Sequence, residues 1–185
     1  MDEAKQYLLD VGCRQQTLLA SPLFQRIGRD LITARQSNLN ELGERHIDQI
    51  LAAFAESGLP ARQEIRDTSG IHTIKDLLDS SRRRVARGQE LEWTLSAYLI
   101  YLPNQDTWEN RFGERFSYAD ICESLLADDL ESGACGGTHR LYTLARALQA
   151  GKGLNFLDDD LTSRIQDRLN NVVNVLAKTQ SSEGA

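Results

Sequence analysis

Apolar residues along this chain recur at intervals of three and four, the period of one face of an α-helix. Tyr7, Leu8, Val11, Leu18 and Leu19 do so over residues 2–20, with Gly12 as a soft point. Ser21-Pro22 reads as a helix start, Ser at the N-cap and Pro at the first helical position. The helix it predicts runs to about Gln36 and carries Leu23, Ile27, Leu31 and Ile32. Asn38 or Asn40 caps a third helix, striped by Leu42, Ile47, Ile50, Leu51 and Phe54 and ended by Gly58 and Pro60. Residues 60–69 read as a polar connection. Ser69 then caps a helix that carries His72, with Ile74, Leu77, Leu78 and Ser81 as its buried stripe.

Gly88 breaks the pattern. Gln89–Leu102 is apolar nearly all round (Leu91, Trp93, Leu95, Ala97, Tyr98, Leu99, Ile100), which predicts a helix central to the packing. Pro103-Asn104 ends it. Residues 103–116 read as a long loop with Trp108, Phe112 and Phe116, an aromatic-anchored lid over the core. Ser117-Tyr118-Ala119-Asp120 resembles a capping box, with Asp in place of Glu. Ile121, Leu125, Leu126 and Leu130 line the helix it starts. The glycine-rich Gly133–Gly137 loop leads into a helix with Leu141, Leu144, Ala145 and Leu148, closed by Gly151 and Gly153. Asp158-Asp159-Asp160 opens the last helix, which carries Leu161, Ile165, Leu169, Val172, Val173 and Leu176. Runs of alternating β-branched residues are missing. The predicted fold is therefore all-α: antiparallel helical hairpins in two layers.

The 185 residues suffice for a sizeable core. An N-terminal helical segment over 1–69 is expected to pack on a repeat region over 70–185. The net charge of −6 argues against broad nucleic-acid or anionic-membrane binding, which needs a basic face. No apolar run approaches a membrane span. The acidic start, Met1-Asp2-Glu3, lacks the apolar core of a signal peptide, so a cytoplasmic location is the default expectation. Cys13, Cys122 and Cys135 form no CxxC pair and read as free thiols.

Candidate chemistry gathers around Cys135 and His139, a C-x₃-H pair. Zinc accepts thiolate and imidazole, with His72 as a third ligand. Alternatively Cys135, ahead of a helix N-terminus, is a nucleophile with His139 as its base. The plainer reading is a small buried cysteine in a tight turn, and it is preferred, so no metal or cofactor is expected. His72 and His139 either cap their own helices or line a cavity mouth with Trp93 and Tyr142 as its apolar wall. Arg82-Arg83-Arg84 and Arg87 suit the negative end of a helix dipole.

Two segments echo one another: Gly70-Ile71-His72-Thr73-Ile74-Lys75-Asp76-Leu77 and Gly137-Thr138-His139-Arg140-Leu141-Tyr142-Thr143-Leu144. Glycine-x-histidine before a helix, together with the terminal Leu176-Ala177-Lys178-Thr179-Gln180-x-x-x-Gly184, resembles the α/α-toroid repeats of squalene–hopene cyclases and protein prenyltransferase β subunits. The resemblance covers roughly residues 70–185 and implies a partial α/α toroid. It also implies a fragment, because the chain ends before the Trp of a Gln-x-x-x-Gly-x-Trp motif. The cyclases' Asp-x-Asp-Asp motif is absent. Gly133 stands where the prenyltransferases' zinc ligand Asp would precede Cys135. The implied function is a non-catalytic repeat domain that binds a protein partner or the remainder of its own chain. The alternative is an enzyme fragment whose catalytic residues lie in missing repeats. An apolar patch on the last helix is expected to drive self-association.

Overall fold

The computed structural model describes residues 23–36, 43–67, 70–105, 107–130 and 134–181. The expected helix over 2–20, its successor's start at Ser21-Pro22, the caps Asn38, Asn40 and Ser69, and Cys13 lie outside them. Two compact units form, Met1–Phe116 and Ser117–Ala185.

The first unit overturns the all-α expectation. It contains three antiparallel two-stranded hairpins: β1 (Phe24–Ile27) with β2 (Leu31–Ala34), β3 (Glu64–Asp67) with β4 (Gly70–Thr73), and β5 (Thr107–Glu109) with β6 (Arg115–Ser117). The chain is a mixture of helices and hairpins, not a two-layer helical toroid. Its strands are only three or four residues long, too short to display a period of two. In β2 all four side chains are buried, so no alternation exists to be read. The supposed helix through Gln36 is the β1–β2 hairpin, with Phe24 opposite Ala34 and Ile27 opposite Leu31. The polar connection over 60–69 holds β3, and the aromatic loop over 103–116 is the third hairpin.

Among the described residues, three helices complete this unit: α1 (Gln49–Glu56), α2 (Ile74–Arg84) and α3 (Glu92–Tyr101). α1 is shorter than its stripe predicts and buries Leu51, Ala52, Phe54 and Ala55, mainly against α3. α3 buries seven of its ten residues, as a helix apolar all round should. Phe24 meets Phe54 with ring centroids 6.1 Å apart, which fastens the first hairpin to α1. The Ile32 amide donates to Ser80 Oγ at 3.0 Å, which fastens β2 to α2. Trp108 of β5 meets Tyr98 of α3 edge-on at 5.2 Å and stacks on Phe116 of β6 at 5.3 Å.

α2 begins where β4 ends. Thr73 is its N-cap, not Ser69. Thr73 Oγ1 accepts the Asp76 amide at 3.2 Å, and Asp76 Oδ2 accepts the Thr73 amide at 2.7 Å. Ser117 and Asp120 repeat this reciprocal cap at the start of α4 (Tyr118–Ala127), at 3.0 and 2.9 Å.

The second unit is helical. α4, α5 (Thr138–Leu154) and α6 (Asp159–Thr179) pack on one another around Tyr118, Ile121, Leu125, Leu144, Leu161 and Ile165. Arg164 of α6 grips the Glu123 carboxylate of α4 with both terminal nitrogens, at 2.6 and 2.7 Å. No helix among the described residues is long and apolar enough to cross a membrane.

Candidate functional site

The five residues expected to line one ligand site divide between the units. His72 is half-buried in the middle of β4, opposite Ile65, rather than on a helix. Trp93 is half-buried in the first turn of α3. Cys135, His139 and Tyr142 belong to the second unit. His72 on a strand and His139 on a helix are not equivalent positions, so the apparent Gly-x-His repeat is a coincidence of sequence. Asp76 caps its own helix, and Asp79 pairs with Lys75 one turn away.

The glycine-rich loop does build a definite turn. Cys135, Gly136 and Gly137 take successive left-handed conformations, with φ of 52°, 63° and 78°. A Cβ on Gly137 would lie 2.4 Å from the Leu130 carbonyl oxygen, so only glycine fits there. Thr138 Oγ1 donates to the Cys135 carbonyl at 3.0 Å. Cys135 is exposed, contrary to the expectation of a buried thiol, because the left-handed turn lifts it ahead of α5. A ring nitrogen of His139 lies within 4.8 Å of its sulfur. Tyr142 is 40% exposed, with the Arg146 guanidinium 5.9 Å from its ring centroid.

The buried polar network of the first unit was not legible in the sequence. Asp48 precedes α1 with φ of 59° and is only 3% exposed. It stands at the N-cap, but its side chain makes no capping hydrogen bond. Its Oδ2 accepts Ser81 Oγ at 2.5 Å and Thr94 Oγ1 at 2.7 Å, and the Tyr98 hydroxyl lies 2.6 Å from Ser81 Oγ. Arg84 stands 4.0 Å from Oδ1. Glu44, equally buried, accepts the Ile50 amide at 3.3 Å. Desolvation, reinforced by the Asp48 charge, pushes its carboxyl from 4.5 up to about 7. Burial pushes the Tyr98 hydroxyl well above its ordinary range, with the Asp48 charge second. Two acids with divergent environments suit acid–base chemistry in an open cleft. Both are enclosed: Asp48 is spent on hydroxyl partners from α2 and α3 and Glu44 on the Ile50 amide, so the network binds the 43–48 loop to the helices. His46 in that loop is held 2.9 Å from a Glu90 carboxylate oxygen.

The second unit offers two open features. A groove of about 330 Å³ runs between α5 and α6, lined by Leu148, Gln149, Lys152, Leu157, Thr162 and Gln166 among others. Beyond it α6 continues with almost no cover. Its buried residues are Leu161 and Ile165, in the first two turns. Val173, Val175 and Leu176 are 63%, 52% and 62% exposed.

No family model, curated protein or solved structure matches this chain. Cyclase or prenyltransferase chemistry gains no support, and the functional reading rests on the chain's own geometry.

Proposed function

We propose that this chain is a non-catalytic protein-interaction module that pairs with a second copy of itself through the C-terminal half of α6. The observation that carries this reading is the exposed apolar stripe on that half. Asn170-Asn171-Val172-Val173-Asn174-Val175 is a run of weak helix formers, β-branched and Asn, in a segment with no buried residue. Helix there gains little from propensity and needs packing to persist. Leu169, Val172, Val173 and Leu176 fall on one face at spacings of three, one and three, with Leu169 and Val172 half-buried and Val173 and Leu176 exposed.

The stripe also favours a copy of the chain over another partner. Leu169-x-x-Val172-Val173-x-x-Leu176 reads the same in both directions. A two-fold axis between Val172 and Val173 would bring Leu169 of one copy against Leu176 of the other, as a self-complementary interface requires. Residues 169–177 carry no charge, so antiparallel pairing meets no like-charge repulsion. Arg168, at the edge of the stripe, is already engaged with the Leu126 carbonyl at 2.8 Å.

Light scattering over a wide concentration range tests the reading. The expected outcome is a monomer–dimer equilibrium, abolished by Leu176→Glu. That substitution lies on an exposed turn and leaves the core of the second unit intact. A monomer at every concentration, or a dimer indifferent to both Leu176→Glu and Val173→Glu, would overturn it.

A further inference from the structure

In the first unit, the C-terminal end of α2 lies between two hairpin tips. On one side Arg83 Nη1 pairs with Asp30 Oδ2, in the β1–β2 turn, at 2.8 Å. On the other, the Arg111 amide of the β5–β6 tip donates to the Arg83 carbonyl at 3.1 Å, and Asn110 Nδ2 donates to the Val85 carbonyl at 2.6 Å. Arg87 Nη2 donates to the Arg115 carbonyl at 2.9 Å. Exposed arginines thus gather from three elements: Arg26 and Arg29, Arg83 and Arg87, Arg111 and Arg115. Asp30, Glu109 and Glu114 offset part of this charge. The Arg83 hydrogen bond and charge hold the Asp30 carboxyl below its ordinary range, and Arg111 adds to the effect. A positive surplus remains at this end, in a chain whose net charge is −6.

The β5–β6 tip is rigid. Asn110 Oδ1 accepts the amides of Phe112 and Glu114, each at 2.9 Å, and Gly113 completes the turn with φ of 79°. This locked tip holds Phe112 in solvent, 58% exposed, with the Arg111 guanidinium 4.8 Å from its ring centroid. Trp108 and Phe116 of the same hairpin are buried and supply its anchorage. Phe112 adds nothing to that core.

We propose that this end of the first unit binds single-stranded nucleic acid, with Phe112 stacking on an unpaired base and the arginines around it gripping the flanking phosphates. An exposed aromatic accepts any base face, which makes such binding tolerant of sequence. A guanidinium presents its donors as a planar fork that matches a phosphate. A duplex hides its base faces, so it would engage the arginines alone. The chain's overall negative charge confines binding to this end and makes it sensitive to salt.

Fluorescence anisotropy on the full chain tests this, with labelled oligouridylate, oligothymidylate and a duplex of equal length at low salt. The expected result is saturable binding of one or both single strands, tighter than the duplex and weakened by added salt. The two single strands distinguish RNA from DNA as the source. Phe112→Ala should weaken single-strand binding by about 5- to 100-fold, the worth of one stacked base. Arg115→Ala should weaken it and flatten its salt dependence. Both side chains are exposed, so unchanged melting by circular dichroism shows that the variants fold. Lack of saturable binding at low salt would overturn the proposal. So would equal affinity for the duplex with Phe112→Ala indifferent, the behaviour of a general polyanion surface.

Discussion

Glu44 shows how a single residue makes this fold sensitive to pH. Its carboxyl loses its proton near 4.5 in an unfolded chain but near 7 in the folded unit, because burial and the Asp48 charge both disfavour its ionised form. Between those values the folded state holds a proton that the unfolded state has released. Stability must therefore fall as pH rises from about 4.5 to about 7, and this contribution levels off above that. The full effect is at most about 3 kcal/mol. Glu44→Gln keeps the acceptor for the Ile50 amide and removes the titration. Its stability should stay flat where the natural protein's declines, so the variant gains relative to it at pH 8. Denaturant melts of both proteins at several pH values check this, and parallel profiles would refute it. The position was invisible in the sequence. Glu44 looks like any helical surface acid until Asp48, Ser81, Thr94 and Tyr98 close around its loop.

Among the elements, the clearest local logic lies in the two strand-to-helix junctions. Thr73 with Asp76 and Ser117 with Asp120 each close a reciprocal cap. Removing one hydroxyl leaves an amide of the first turn without its acceptor. Thr73→Ala and Ser117→Ala should each cost about 0.5–2 kcal/mol of stability. The effects should add, because the helices belong to different units. Chemical denaturation of the single and double variants measures both quantities. A double variant no weaker than either single one would contradict the independence of the two caps. The Ser117 box was legible because its four residues contain the whole interaction. The Thr73 box was not, since Ser69 lies four residues earlier and is an equally good cap by type. The β3–β4 pairing keeps residues 70–73 extended and hands the N-cap to Thr73.

At the scale of the whole molecule, the protruding half of α6 links structure to assembly. If a second copy covers Leu169, Val172, Val173 and Leu176, that helix is ordered by association more than by its own sequence. Amide hydrogen exchange over residues 170–179 should then slow as protein concentration rises. Exchange in α2, whose capped and buried stripe is complete within one copy, should not change. Exchange over 170–179 that is equally slow at all concentrations would mean the helix needs no partner.

What the sequence alone determined is what neighbours within one or two turns decide. It specified the helices over α3, α4, α5 and α6, the burial of Tyr98 and Leu95, the Ser117 cap and the apolar stripe of the last helix. Capping and helical periodicity act over a few residues, so their signals survive in one dimension. Only the tertiary structure decided the hairpins, the division after Phe116 and the polar network around Asp48. Strands of three or four residues carry too few positions for a pattern and form because a partner strand and a helix face are already there. Asp48 meets Ser81 and Thr94 across 33 and 46 residues of chain. No spacing rule spans that distance, and only the packing of α2 and α3 against the 43–48 loop brings those groups together.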